Sequence, residues 1–170
     1  MFYEHHKFGD AQLKIYFECQ KRTDKEPTYE LHWHSTPEFI YLFDGTVRVQ
    51  TGMDSTEVSA KSIIAINPQC PHRFAAVGSE CSYYCLIPDN SIIRSVGLSP
   101  EMLHFQTVIK DEKIIEKYLE IIKEYRNKEP YYKQKIQSLI TGMVAEINRL
   151  SEKAGVSHQD RVESKKMSIV

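Results

Sequence analysis

The hydrophobic period of the chain changes once, near residue 99, and that change restricts the fold more than any single motif. Before it run short β-prone stretches, LKIYFEC, EFIYLF, TVRVQT, TEVSA, SIIAIN, HRFAAV and SYYCLI, punctuated by DG, GMDS, NPQCP and VGSE. Turn residues at that spacing predict an antiparallel sandwich or barrel. After Ser99-Pro100 the pattern becomes helical. DEKIIEKYLEIIKEY sets apolar residues at 115, 118, 119, 122 and 125, one face of a helix. YYKQKIQSLITGMVAEINRL repeats this at 136, 139, 140, 143, 144, 147 and 150, with Pro130 expected in the first turn of that second helix. The polar stretch from Ser151 to Lys166 reads as a linker, and the final MSIV as the beginning of a further segment. The expected division is therefore 1–98 β-rich, 99–152 helical and 153–170 linker.

Composition removes several classes of function. A chain of 170 residues suits one domain with an appendage. A net charge of -1 and a pI near 6.7 provide no basic patch for nucleic acid within these residues. No apolar run is long enough to span a bilayer, and MFYEHHKFGD lacks the apolar centre of a secretory signal. Cys19, Cys70, Cys81 and Cys85 form no CxxC pair, so reduced thiols in a cytoplasmic protein are expected.

Within LHWHSTPEFIYLFDG, residues 31–45, polar groups stand where a half-buried strand should be apolar. Asp44-Gly45 is a favoured two-residue hairpin turn. In that register Leu42 faces Val47, Ile40 faces Val49 and Glu38 faces Thr51, so Glu38 shares a face with four aliphatic residues. A carboxylate there is costly unless hydrogen-bonded, paired, metal-bound or protonated. An extended chain would hold His32 about 20 Å from Glu38. The turn-prone Ser35-Thr36-Pro37 instead allows the chain to fold back. That would gather His32, His34 and Glu38, with His72 after the next apolar strand.

These residues resemble a known family. HWHSTPEFIYLFDG is similar to the first cupin motif, two histidines one residue apart, then a glutamate and a glycine, and SIIAINPQCPHRF resembles the second. The resemblance implies a mainly β, cupin-like antiparallel β-barrel (jelly roll) followed by two α-helices. It also implies a ligand-binding cluster of His32, His34, Glu38 and His72. The same four are the implied ligands of a divalent transition metal, zinc, iron, manganese or nickel, should one be used; none is required. The second motif departs from the metalloenzyme form, with Cys70 at the glycine position and His72 one residue early. HWH with E and G, then INP and H, looks more like the N-terminal sensor domains of AraC/XylS-type transcription regulators. That resemblance implies a small-molecule effector in the barrel, homodimerisation through the helices, no enzymatic activity, and DNA contact only through a helix-turn-helix domain downstream of these residues. The alternative is a stand-alone metal-dependent cupin enzyme, a dioxygenase or isomerase.

The remaining features have plainer readings. Ile136, Ile140, Met143, Ile147 and Leu150 step by 4, 3, 4 and 3, a seam expected to form the dimer interface or to dock on the barrel. Cys70, Cys81 and Cys85 are read as packing residues and Tyr41 as lying under a helix or the N-terminal arm. Tyr83 and Tyr84 must face opposite sides, and His5 and His6 are expected to be solvated.

Overall fold

A computed structural model describes residues 1–25 and 30–155; the linker expected over 153–170 lies, from 156 onward, outside the described residues. Two long strands, β4 (Glu38–Thr51) and β7 (His72–Pro88), pair antiparallel and organise the sheet. β2 (Ile15–Thr23) lies along the second half of β7, and β3 (His32–Trp33) meets its start. β6 (Ser62–Ile66) covers the first half of β4 and β5 (Asp54–Ser59) the second. β1 (Phe2–Tyr3) runs parallel to β3, and β8 (Val108–Ile109) closes on β6. The chain is mainly β and cupin-like as expected, with two qualifications. Among the described residues the sheet does not close, ending at β1 and β8. Three α-helices, again among the described residues, follow rather than two: α1 (Asn90–Arg94), α2 (Glu112–Asn127) and α3 (Tyr132–Lys153). Five residues are too few to show a helical period, and α1 rests on the Asp89 cap, which accepts from the Ser91 amide.

The hairpin expected at Asp44-Gly45 does not form. β4 passes straight through both residues, and the turn falls at Gly52-Met53 between β4 and β5. Glu38 accordingly pairs with Ile66, not Thr51. The reason is the neighbouring strand. Gly45 adopts φ +77° against β7, where an added Cβ would collide with the Glu80 carbonyl oxygen. The register shifts between Leu42 and Thr46, a β-bulge that changes the strand's phase. Leu42 and Val47 lie an odd number of residues apart, yet both reach the same core because of that shift. The shared face read from a hairpin survives for a different reason.

The two faces of the sheet bury different cores. Inside the curl, Ile40, Leu42, Val47, Val49, Ile64, Ile66 and Phe74 pack with Cys81, Tyr83 and Cys85. On the outside, Phe17, Phe39, Tyr41, Ile63 and Leu86 meet the helices. Tyr41 lies beneath α2, ring to ring with Tyr118 at 5.7 Å, and Tyr83 and Tyr84 separate onto the two sides as alternation requires. Asp111 caps α2 by accepting from the Ile114 amide. The buried Tyr118 hydroxyl reaches the carbonyls of Phe39 and Tyr84, each at 2.9 Å, fastening α2 to both long strands. Pro130 precedes α3 instead of entering it, since Tyr131 takes the left-handed cap at φ 67°.

The seam on α3 is occupied within the protomer. Ile136, Ile140, Met143 and Ile147 are each 0% exposed and belong to the core shared with the sheet and α2, with Leu150 packed against it. A dimer interface on these side chains is therefore corrected: docking on the barrel and on α2 covers them. No helix among the described residues is long and apolar enough to cross a membrane.

Two substitutions test this packing. Ile140→Ala should cost about 2–5 kcal/mol in denaturant unfolding, by an amount independent of protein concentration. Gly45→Ala should cost at least about 2 kcal/mol, from the left-handed backbone and the contact with β7. A Gly45→Ala variant as stable as the parent would contradict the bulge.

Candidate functional site

The cluster is assembled by backbone pairing before any side chain chooses a partner. β3 meets β7 at one register position, His32 opposite His72. The chain bends at Ser35-Thr36 and enters β4 at Glu38, as the turn-prone triplet predicts. His34 is held in that bend, its ring Nδ1 2.9 Å from the Thr36 carbonyl. All four residues are buried: His32, His34, Glu38 and His72 are between 0% and 6% exposed. One donor atom from each lies within 4.8 Å of the others.

The three rings are oriented alike. Nδ1 of His32 donates to the Glu30 carbonyl, that of His34 to Thr36 and that of His72 to Cys70, each at 2.9 Å. A carbonyl oxygen only accepts, so every Nδ1 carries its hydrogen and every Nε2 is turned toward the cluster. There Glu38 Oε2 sits 3.1 Å from His34 Nε2 and 3.0 Å from His72 Nε2. A neutral imidazole protonated at Nδ1 has only a lone pair to offer a carboxylate. Each contact therefore needs a proton shared between Nε2 and the carboxyl, or a cation between the groups. Backbone-anchored imidazoles with Nε2 converging on one carboxylate are the donor set that divalent transition ions take. The residues fit such an ion.

Burial alone would raise the Glu38 pKa, but the His34 and His72 hydrogen bonds overcome it and hold the carboxyl well below its usual range. For His72, burial pulls down while Glu38 pulls up, and the net is a raised value. His32 is lowered, first by burial and then by the adjacent His72. Glu38 Oε1 accepts from the Cys85 thiol at 3.2 Å, and burial with that carboxylate pushes the thiol well above its ordinary value. Cys70 serves through its carbonyl rather than its sulfur.

Three contributors escaped the sequence reading. Glu4 and His6, on an arm expected to be solvated, reach the cluster: Glu4 Oε2 is 3.3 Å from His32 Nε2 and 3.1 Å from His6 Nε2. The His6 ring stands edge-on to His34 at 4.8 Å, and the bond to His6 lowers the Glu4 pKa. His5 is exposed, as expected. Cys85, read as packing, lies opposite Ile40 and so points to the Glu38 side. Alternation along SYYCLI could have found Cys85; nothing in the spacing announces Glu4. A cavity of about 360 Å³ opens beside the cluster, lined by Glu4, His5, His6 and Lys7 of the arm and by Tyr16, His32, Glu38, Ile40, Phe74 and Cys85 among the sheet residues.

A curled sheet around a buried His/Glu cluster, with a helical pair on its outer face, defines a cupin-type ligand-binding domain. The chain belongs to the AraC-like ligand binding domain family, whose model matches residues 14–158. A 64-residue stretch is 31% identical to the uncharacterized HTH-type transcriptional regulator YobQ of Bacillus subtilis (strain 168), covering 37% of this chain and 26% of that protein. The chain thus spans about a quarter of that relative's length. Among solved structures, fatty acid-bound ToxT of Vibrio cholerae is similar with a TM-score of 0.57 at 11% identity, over 79% of this chain and 55% of that one. An RmlC-like cupin family protein of Methanocaldococcus jannaschii matches with a TM-score of 0.41 at 6% identity, over 44% of this chain and 69% of that one.

The His72 shift sets a pH dependence. A raised folded pKa contributes stability that is full below the unfolded value of 6.5 and is lost as pH rises through the folded one. His32, shifted the other way, opposes it, so the comparison must isolate His72. In chelator-treated protein, the stability difference between the parent and His72→Gln should shrink as pH climbs above about 6.5. Thermal melts across pH 5–9 measure it, and a constant difference would contradict the pairing with Glu38.

Proposed function

We propose that this chain is the effector-sensing part of an AraC-like transcription regulator, binding a small polar molecule or a metal ion in the cavity beside Glu38. The observation that carries the reading is the cavity itself. It has a buried polar floor, His32 and Glu38, an aliphatic and aromatic wall, Ile40 and Phe74, and a roof made by the N-terminal arm. Floor and wall suit a ligand with polar and apolar parts, and a few convergent polar groups in an apolar pocket are the usual design of a small-molecule site. The arm in the lining means that occupancy can change how the arm lies. Such coupling requires that the ligand bind the two arm states with different affinity.

His32, His34, Glu38 and His72 would hold a divalent ion, zinc, iron, manganese or nickel, supplying charge compensation for Glu38 and a coordination position for the effector. DNA would be met by a helix-turn-helix domain elsewhere in a longer protein, and the setting proposed for such a regulator is the cytoplasm. Division of labour between a sensing segment, 1–98, and a helical segment, 99–152, belongs to the same reading, as does self-association. With the α3 seam covered, the exposed Leu119 of α2 supports self-association through the helical layer. Light scattering at micromolar concentration should show a dimer that Leu119→Glu weakens.

The second reading, a metal-dependent cupin enzyme such as a dioxygenase or isomerase, draws on the same donor set. Stoichiometric iron, manganese or nickel in the purified protein, accompanied by turnover, would favour it. For the sensing reading, a thermal-shift screen of sugars, amines, phenolics, carboxylates and divalent metals should yield a compound that raises the melting temperature. Glu38→Gln should weaken its binding at least about tenfold while the circular dichroism spectrum stays unchanged. Unaltered affinity in that variant would make Glu38 a purely structural residue.

A further inference from the structure

We propose that the N-terminal arm is a metal-dependent clasp, in which Glu4 adds a fifth donor to a divalent transition ion held by His32, His34, Glu38 and His72. The inference rests on the metal reading of that quartet and goes beyond it, because Glu4 lies outside the sheet's own donor set. Glu4 Oε2 stands 3.3 Å from His32 Nε2, and its carboxylate, with His6 and His34, forms a second group of donor atoms within 4.8 Å of one another. Donors bound to one such ion at about 2.1 Å lie about 3.0–3.4 Å apart. The Glu4–His32 separation falls in that range, as do 3.1 Å for Glu38–His34 and 3.0 Å for Glu38–His72. Glu4 is therefore spaced from His32 as Glu38 is spaced from His34 and His72, at the edge of the quartet, and a small swing of the arm's carboxylate would bring it onto a shared ion. His6 Nε2, 3.1 Å from the same Glu4 oxygen, orients the carboxylate from the outer side.

The arm is otherwise held by backbone hydrogen bonds, a Tyr3–Ser35 hydroxyl contact and ring contacts such as Phe2 on His32 at 5.7 Å, so a coordination bond would add a strong tie to weak ones. Its strand is two residues long, with Phe2 45% and Tyr3 38% exposed. The backbone contributes Phe2 N–H to the Leu31 carbonyl at 3.3 Å and Glu4 N–H to that of Trp33 at 2.9 Å. Segments with few buried contacts open at little cost. An ion that binds the docked arm through Glu4 must, by linkage, favour docking to the same extent.

The test uses the whole chain and a built-in reporter. Trp33 is its single tryptophan, and Tyr3 of the arm packs edge-on against it at 4.7 Å. Zinc added to chelator-treated protein should bind with one-to-one stoichiometry by calorimetry, shift Trp33 emission and slow proteolysis of the arm. Glu4→Gln keeps the four sheet donors and the fold. It should bind zinc at least about tenfold more weakly, leave Trp33 emission unresponsive and give a different cobalt(II) visible spectrum from the parent. Equal affinity and an equal Trp33 response in the two proteins would overturn the clasp while leaving the quartet as a metal site. No zinc binding by the parent would overturn the clasp and the metal reading together. An organic compound from the thermal-shift screen would then still stand as the effector.

Discussion

One carboxylate on the inside of the sheet constrains the rest of the molecule. Glu38 is 5% exposed, and an ionised group in that position must be compensated by neighbours or by a bound cation. Compensation comes from three separate pieces of chain: His34 across a bend, His72 from the start of β7 and Cys85 from its far end. Both ends of β7 must therefore converge on the first residue of β4. The long antiparallel pair and the sharp fold-back at Ser35-Thr36 meet that demand. Rings anchored through Nδ1 to backbone carbonyls keep Nε2 turned toward Glu38 whatever occupies the space between them.

The bulge in β4 answers a second demand. The curled sheet must keep one continuous apolar lining while β4 changes its partner from β6 to β5. A regular strand would turn Val47 and Val49 outward once Ile40 and Leu42 point in. The register shifts at Leu42/Asp44 and Asp44/Thr46 restore the lining, and glycine is required at 45 because β7 passes too close for a Cβ. The same shifts let one strand serve two partners without a break in the core.

Much of the site was legible because it depends on short-range pattern. The gathering of His32, His34, Glu38 and His72, the fold-back at Ser35-Thr36-Pro37, the placement of Tyr41 under a helix and the two long helices all follow from alternation and turn chemistry. By contrast, α1 before residue 99 and β8 after it cross the expected boundary. What was not legible depends on partners distant in sequence. Asp44-Gly45 has the composition of a hairpin turn, and only the nearness of β7 decides that it is a bulge. The α3 seam has the spacing of an interhelical interface, and only the tertiary fold shows the sheet and α2 already filling it. Glu4 reaches His32 through a parallel pairing of two residues, too short to leave any period in the sequence.

The placement of the two cores bears on how a ligand signal could leave the cavity. Cavity residues such as Ile40, Phe74 and Cys85 belong to the inner core, whereas α2 and α3 are embedded in the outer one. Within the long pair, a ligand reaches the helices by moving β4 or β7, whose segments beside the cluster, Glu38–Leu42 and Cys85–Pro88, are buried and held near Tyr118, which bonds the Phe39 and Tyr84 carbonyls. Close-packed interiors resist that kind of displacement. The arm, by contrast, touches the cavity directly through Glu4, His5, His6 and Lys7, and its two-residue strand is exposed. On the sensing reading, the first structural response to occupancy therefore belongs to the arm. The arm's base, however, is tied to the helical layer: Asp10 is paired with Lys133 of α3 at 2.7 Å.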